Sequence, residues 1–335
     1  MTAATTSYWN ELTERFGENW NKFWFTPASV VPLCGLRVLV GIAAFYFVLS
    51  HSADLTDWFG PSGLLPVETV KAMAGDANAA GGGVGDFHWS YLNLVRTPVE
   101  LWVVHVLGLI AIGLFVAGVW SRVTSVVSLI VVLSYVHRAP VLTGQFEAVL
   151  SMLLAYLCLA PTGAWGSVDA WLRRRAAEKD GVRLPGDGKP GATVMANISL
   201  RLLQLHVAAL YAIFALTKLS GTFGVEYAAT WWRGDAMWWL ITRSESRMID
   251  LTFLNGQMGE YFTNAWTHAI VALELAFAAL IWNRLARPLL LVLAAASWLT
   301  LAPVTGLVSY CLIMLVANLV FVSDSTWRRW TKLEA

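Results

Sequence analysis

Long apolar stretches that are almost free of charge constrain this chain more than any other feature. The stretches 30–51, 99–120 and 198–220 are dominated by aliphatic and aromatic residues. As helices, stretches of about 20 such residues match the hydrocarbon thickness of a bilayer. Charged residues make up only 13% of the chain, against roughly 25% in a soluble domain. The sequence therefore predicts a membrane protein and excludes an ordinary soluble enzyme and a disordered chain.

The apolar stretches are continuous rather than alternating, which favours helices over the strands of a β-barrel. We predict an all-α polytopic membrane bundle with about eight transmembrane helices. Their approximate positions are 30–51, 99–120, 121–137, 145–162, 198–220, 264–282, 286–303 and 304–323. This transmembrane domain covers 28–325, includes a flexible cytoplasmic linker at 173–195, and is followed by a cytoplasmic tail at 326–335.

Two further segments are predicted to lie in the membrane interface. In the N-terminal segment 1–27, aromatic and apolar residues recur at steps of three and four, which is typical of an amphipathic helix. The Trp-rich segment 231–239 carries Arg233 and Asp235 and is too polar to span a bilayer. We expect it to form a short interfacial or re-entrant segment that covers the outer end of the bundle.

Basic residues orient the predicted spans. Six Lys and Arg residues lie between 170 and 197, and short cytoplasmic loops carry an excess of such residues. This pattern predicts a multi-pass protein of the plasma membrane with both termini in the cytoplasm, so the lipid bilayer is an expected partner. Nucleic acid is not, because a net charge of +1 provides no basic footprint.

The sequence predicts no metal site. Cys34, Cys158 and Cys311 are isolated in apolar surroundings, and they form neither a CxxC pair nor a disulfide framework. His268 and Glu274 are six residues apart, so they do not share a helix face as a two-ligand metal motif requires.

Polar residues on the fifth predicted span are the best markers of a functional site. Arg201, Gln204, Tyr211 and Lys218 recur at helical spacing, with small residues between them, and this places them on one face. Ionisable groups inside a membrane are costly, so we expect this face to point into the bundle. Lys218, at the outer end, either extends to the lipid headgroups or takes part in chemistry.

Several other ionisable residues belong to the same outer half in this topology, and they are expected to line or support a cavity with Gln204 and Tyr211. They are His137, Arg138, Glu147, His268 and Glu274, with Trp232 above them. Each acid has an alternative as the structural partner of a basic residue. Arg37 and Arg201 are interpreted as structural charges within spans, and Arg37 needs a carboxylate or several carbonyl groups.

A set of motifs in a fixed order resembles the HTTM (horizontally transferred transmembrane) family, which includes the membrane domain of vitamin K-dependent gamma-carboxylases. The motifs are Trp24-Phe25-Thr26-Pro27, Asp57-Trp58-Phe59-Gly60-Pro61-Ser62-Gly63, Ser134-Tyr135-Val136-His137-Arg138, Pro161-Thr162-Gly163, Ser167-Val168-Asp169, Leu203-Gln204-Leu205-His206, Thr217-Lys218-Leu219 and Trp232-Arg233-Gly234-Asp235.

The resemblance implies a role for Lys218 as the catalytic base that deprotonates a vitamin K-like membrane hydroquinone. It thus implies a membrane-embedded enzyme, either a carboxylase-like lyase or a quinol-linked oxidoreductase, with an outer-facing pocket. Two other functions stay open. One is a non-enzymatic factor for maturation or export of a secreted peptide, which other HTTM proteins resemble, and the other is a transporter or structural bundle.

Overall fold

The computed structural model describes residues 3–70, 72, 89–182, 190–243, 245–254 and 256–331. In these ranges the protein is all-α, apart from one short antiparallel pairing of β1 (Ala28–Ser29) with β2 (Ala192–Thr193). The all-α character of the predicted fold is therefore confirmed. The triple glycine at 81–83 and the Pro- and Gly-rich segment 183–189 lie outside the described residues.

The helices of the described residues follow one another along the chain. They are α1 (Ala3–Phe25), α2 (Val31–Ser50), α3 (Leu55–Phe59), α4 (Pro98–Ala117), α5 (Ser121–Arg138), α6 (Gln145–Leu159), α7 (Val168–Lys179), α8 (Val194–Ser220), α9 (Val225–Arg233), α10 (Ala236–Thr242), α11 (Gln257–Leu280), α12 (Ala286–Thr305), α13 (Val308–Asn318) and α14 (Asp324–Trp330). Helix α1 confirms the predicted helix in segment 1–27. Helix α7 occupies the start of the expected linker 173–195, and α14 extends into the tail 326–335.

Within the described residues, four helices, α2, α4, α8 and α12, are long and apolar enough to cross a membrane, and the number rises to five if α13 and α14 form one broken span. The predicted spans 121–137, 145–162 and 264–282 are helices as well, but they do not meet the same criterion. Serines and threonines interrupt α5, α6 has only 15 residues, and α11 carries polar side chains along its length. The chain is thus a helical protein with several candidate membrane spans.

The chain divides into two compact units. The first comprises Met1–Thr143, Ser151–Leu202 and Ser323–Ala335, and the second comprises Gly144–Leu150 and Leu203–Val322. In the first unit, α2 packs against α4 and α14. Gly35 of α2 allows this approach to α14, because a Cβ there would lie 2.3 Å from the Trp327 ring. In the second unit, α12 packs against α13, and α11 packs against α10 and α12.

Candidate functional site

The polar face of α8 is buried, as its spacing predicts. Tyr211 is 2% exposed and Ala215 is fully buried, whereas Ile213 and Leu216 on the opposite face are exposed. Local backbone hydrogen bonding sets the helix, and the 3.6-residue period then brings every third or fourth residue to the same side. The second unit therefore has an internal polar stripe that ends at Lys218.

Lys218 forms an ion pair with Glu274 of α11 inside the second unit. The Nζ atom donates to Oε1 of the carboxylate, and the two side chains are only 14% and 8% exposed. The ammonium group also lies 4.9 Å from the ring centroid of Trp231 and 5.7 Å from that of Phe214. Lys218 thus points into the protein, towards an opposite charge and two aromatic faces, rather than extending to the surface.

The second oxygen of Glu274 is the least satisfied atom of this site. Oε2 is buried and accepts no hydrogen bond from any residue that the structure describes. A buried carboxylate oxygen without a donor is costly, and such atoms in folded proteins require an explanation. Oε2 is thus a point where the hydroxyl of a bound ligand would gain a strong acceptor.

Helices α9 and α10 cover this pair and are held in place by α11. Gly234 separates them with a φ of 87°, and a Cβ at this position would lie 2.0 Å from the Asn264 amide nitrogen. The side chain of Asn264 donates to the Arg233 carbonyl at 2.6 Å, and Thr267 donates to the Gly234 carbonyl at 2.8 Å. The Trp-rich segment therefore forms two short helices, neither of them long enough to span a bilayer, as predicted.

Tyr211 and Gln204 belong to the packing of the second unit. The Tyr211 hydroxyl accepts a hydrogen bond from Trp298 Nε1 at 2.7 Å and from Asn318 Nδ2 at 2.9 Å. The Tyr211 ring stacks on Phe277 with centroids 3.9 Å apart. Gln204 donates to the Val320 carbonyl at 2.8 Å. These two residues support the stripe and contribute almost no open surface, since Tyr211 is 2% exposed and Gln204 6%.

The remaining predicted site residues do not gather around Lys218 as a set. His268 is exposed on α11, whereas Glu274 is buried. Trp232 is 63% exposed, and its indole donates to the Leu219 carbonyl. Glu147 accepts a hydrogen bond from the Gly144 N–H at the start of α6. Of the candidates in the second unit, only Glu274 pairs with Lys218.

His137 and Arg138 belong to the first unit and serve its packing. His137 is hydrogen-bonded to the Trp89 carbonyl through Nδ1. Arg138 is 1% exposed and donates to the Leu65 carbonyl. Both contacts tie the end of α5 to neighbouring chain segments.

Arg37 and Arg201 contact backbone carbonyls and an aromatic ring in the first unit. Arg37 is 1% exposed and donates to the carbonyls of Thr162 and Gly166, each at 2.6 Å. Carbonyl groups rather than a carboxylate are thus its direct partners. The Arg201 guanidinium lies 4.5 Å from the ring centroid of Phe23.

Sequence reasoning missed two parts of the polar interior. Trp231 and Phe214, rather than Trp232, face the Lys218 ammonium, and the spacing of four between Phe214 and Lys218 on α8 is the signal that could have found one of them. His105 is fully buried in the first unit and is hydrogen-bonded to Tyr135 and Ser52. His105 is a polar residue in the middle of an apolar stretch, and this position is the signal that could have found it.

Comparison with protein-family models, curated proteins and solved structures finds no match for this chain. The resemblance to the HTTM family therefore depends on the sequence motifs alone.

Proposed function

We propose that this protein is a membrane-embedded enzyme in which Lys218 and Glu274 accept a proton from the hydroxyl group of a lipophilic ligand, with a membrane hydroquinone as the ligand class. One observation carries the proposal: a buried Lys–Glu pair keeps an unsatisfied carboxylate oxygen under an aromatic cover. The resemblance to the carboxylase membrane domain assigns the base to the same lysine.

The pair takes up one proton when the proton shared by Nζ and Oε1 lies on Glu274. The Lys218 amine then has a free electron pair and is the base. The O–H bond of the ligand breaks, its electrons stay on the ligand oxygen, and the pair ends as an ammonium beside a carboxylic acid. The ammonium then stabilises the negative charge that develops nearby.

An apolar cavity of about 520 Å³ in the second unit suits a lipophilic ligand. Leu254, Trp266 and Val304 line it, and they pack in the same hydrophobic cluster as Trp231. Along α11, Trp266, Ile270 and Glu274 are four residues apart and thus share a face, each step covering about 6 Å. A hydroquinone would supply an acidic hydroxyl at the Lys218–Glu274 pair, and its apolar part would have a path along this face.

Lys218→Arg tests the proposal. Arginine keeps the charge and the ion pair, but it does not give up its proton and cannot act as a base. In proteoliposomes with menaquinol-4, we expect the wild type to accelerate O2 consumption above the rate of empty liposomes, because deprotonation promotes oxidation of a hydroquinone. Lys218→Arg should lower the rate to that background. The variant should still bind menaquinone-4, and this binding can be measured by Trp fluorescence.

Equal O2 consumption by Lys218→Arg and the wild type would make the pair structural and favour the non-enzymatic or transport function. Arg15→Lys is the matched control, because Arg15 is an exposed residue of α1; it should leave both readouts unchanged.

We further propose that α5, α6, α11 and α13 cross the membrane in addition to the most apolar helices, which gives eight spans with both termini in the cytoplasm. The three consecutive arginines of α7, Arg173, Arg174 and Arg175, support this orientation.

Cysteine labelling tests the proposed topology. In a background with Cys34→Ala, Cys158→Ala and Cys311→Ala, an impermeant thiol reagent should label Thr222→Cys in intact cells. Asp180→Cys should react only after lysis, because it follows α7 on the cytoplasmic side. Labelling of Asp180→Cys in intact cells would reverse the orientation.

A further inference from the structure

A second site lies in the first unit, where the start of α5, the loop 160–166 and α7 meet. A cavity of about 590 Å³ opens there. Its wall combines two guanidinium groups, Arg122 and Arg173, with the apolar side chains of Trp120, Val123 and Leu172. None of these residues takes part in the Lys218–Glu274 site.

Asp169, a carboxylate of the cavity wall, is occupied by internal hydrogen bonds. Asp169 Oδ1 accepts from the Trp120 N–H at 2.9 Å, and Oδ2 accepts from the N–H and the hydroxyl of Ser121, each at 3.0 Å. Burial would raise the pKa of Asp169, but these hydrogen bonds and the Arg173 charge outweigh it and lower the pKa. Asp169 therefore holds the turn between α4 and α5, and its single negative charge offsets only one of the two arginines that line the cavity.

The two arginines keep most of their hydrogen-bonding capacity. Arg173 donates one N–H to the Gly163 carbonyl at 2.7 Å. Neither Arg122 nor Arg173 forms an ion pair within the part of the chain that the structure describes. Guanidinium groups bind phosphate through several parallel N–H donors. The mouth of the cavity is therefore positively charged and suited to a phosphate group.

The apolar part of the wall is exposed beside these charges. Trp120 is 75% exposed, Val123 59% and Leu172 51%. Trp120 also has a φ of 46°, an uncommon conformation for a residue with a side chain, and the Asp169 hydrogen bond to its N–H helps to hold it. Tryptophan rings favour the headgroup level of a membrane. The positive charge at the mouth of the cavity matches the phosphate group of a phospholipid. The apolar surface next to it matches the acyl chains.

We propose that this cavity binds the phosphate headgroup of an anionic phospholipid, with Arg122 and Arg173 as the phosphate ligands and Trp120, Val123 and Leu172 as the contact for the upper part of an acyl chain. Basic pockets between membrane helices bind anionic headgroups by the same chemistry.

Native mass spectrometry of the purified full chain in detergent tests this site, with phosphatidylglycerol and phosphatidylcholine of identical acyl chains as probes. The double variant Arg122→Gln/Arg173→Gln should weaken phosphatidylglycerol binding about 30-fold. Phosphatidylcholine binding should weaken less, because the choline cation beside its phosphate is repelled by the arginines. The single variant Arg122→Gln, whose side chain makes no ion pair in the described chain, should show part of this loss without any change in folding.

The matched control is Arg175→Gln/Lys179→Gln, which removes the same number of charges from α7, the helix that carries Arg173, but lies outside the cavity wall. Its effect should be less than about threefold, because both side chains are exposed and neither contacts a ligand in the cavity, so their charges are screened by salt. Equal weakening by both double variants would overturn the proposal, since binding would then depend on diffuse charge. Displacement of the lipid by excess sodium phosphate would also overturn it and point to a soluble anion.

Discussion

Glu274→Leu is expected to lower the free energy of unfolding by about 3–5 kcal/mol, because it leaves the Lys218 ammonium buried without its opposite charge. Both partners are mostly buried, with side-chain exposures of 14% and 8%, so water cannot replace the lost carboxylate. The free energy of unfolding can be measured by SDS-induced unfolding of the full chain in mixed micelles, followed by Trp fluorescence.

The double variant Lys218→Met/Glu274→Leu separates the cost of an unpaired charge from the contribution of the pair. It should recover most of the stability, since replacing both members of a buried ion pair by apolar residues is often neutral. Asp235→Leu is the control at a surface pair. Arg233 and Asp235 are 57% and 44% exposed, and the loss should stay below about 1 kcal/mol. If Glu274→Leu also costs less than this, the pair is not desolvated and the proposed base loses its support.

Arg37→Met is expected to destabilise the protein by about 2–4 kcal/mol, because it removes the donors to two backbone carbonyls. Thr162 is 2% exposed, so its carbonyl would be left buried without this donor. The surroundings of Arg37 cannot easily rearrange, because they are closely packed. Gly118 has a φ of 75°, and a Cβ added to Gly118 would lie 2.7 Å from Arg37 Nη1. The same unfolding titration provides the measurement.

Arg37→Lys and Arg15→Met are the comparisons for this second prediction. Lysine keeps the charge but lacks the two parallel N–H donors of a guanidinium group. It should therefore form one of the two hydrogen bonds, and the loss of unfolding free energy should be intermediate. Arg15 is 73% exposed in its side chain, and Arg15→Met should change the stability by less than about 0.5 kcal/mol. An Arg37→Met variant as stable as Arg15→Met would show that the guanidinium does not hold the loop after α6.

Lys218 and Arg37 also show how much of the site the sequence predicts. Both are charges within apolar stretches, which singles them out, and for Arg37 a set of carbonyl groups is one of two environments that the sequence predicts. The partner atoms were not predictable. Glu274 is 56 residues from Lys218, and the Thr162 carbonyl is 125 residues from Arg37. Contacts at such separations depend on how helices rotate and pack against each other.

The outer-half candidates illustrate the same limit. His137, Glu147, His268 and Glu274 all lie towards the same ends of predicted spans, so topology alone groups them. In the second unit, the rotation of α11 about its axis buries Glu274 and exposes His268. Trp231 and Trp232 are adjacent in sequence, yet one is 7% exposed and the other 63%. Only the packing of α9 decides which indole meets the ammonium.

The sequence by itself determined the all-helical character, several candidate spans, the buried stripe of α8 and the short length of the helices in the Trp-rich segment. These features depend on local physics: apolar length, the helical period and the freedom of glycine to adopt a positive φ. Only the tertiary structure decided that Lys218 pairs with Glu274, that Arg37 binds backbone carbonyls, and that Asp169 leaves two arginines beside an apolar cavity. These arrangements arise from contacts between distant segments, which no local pattern encodes.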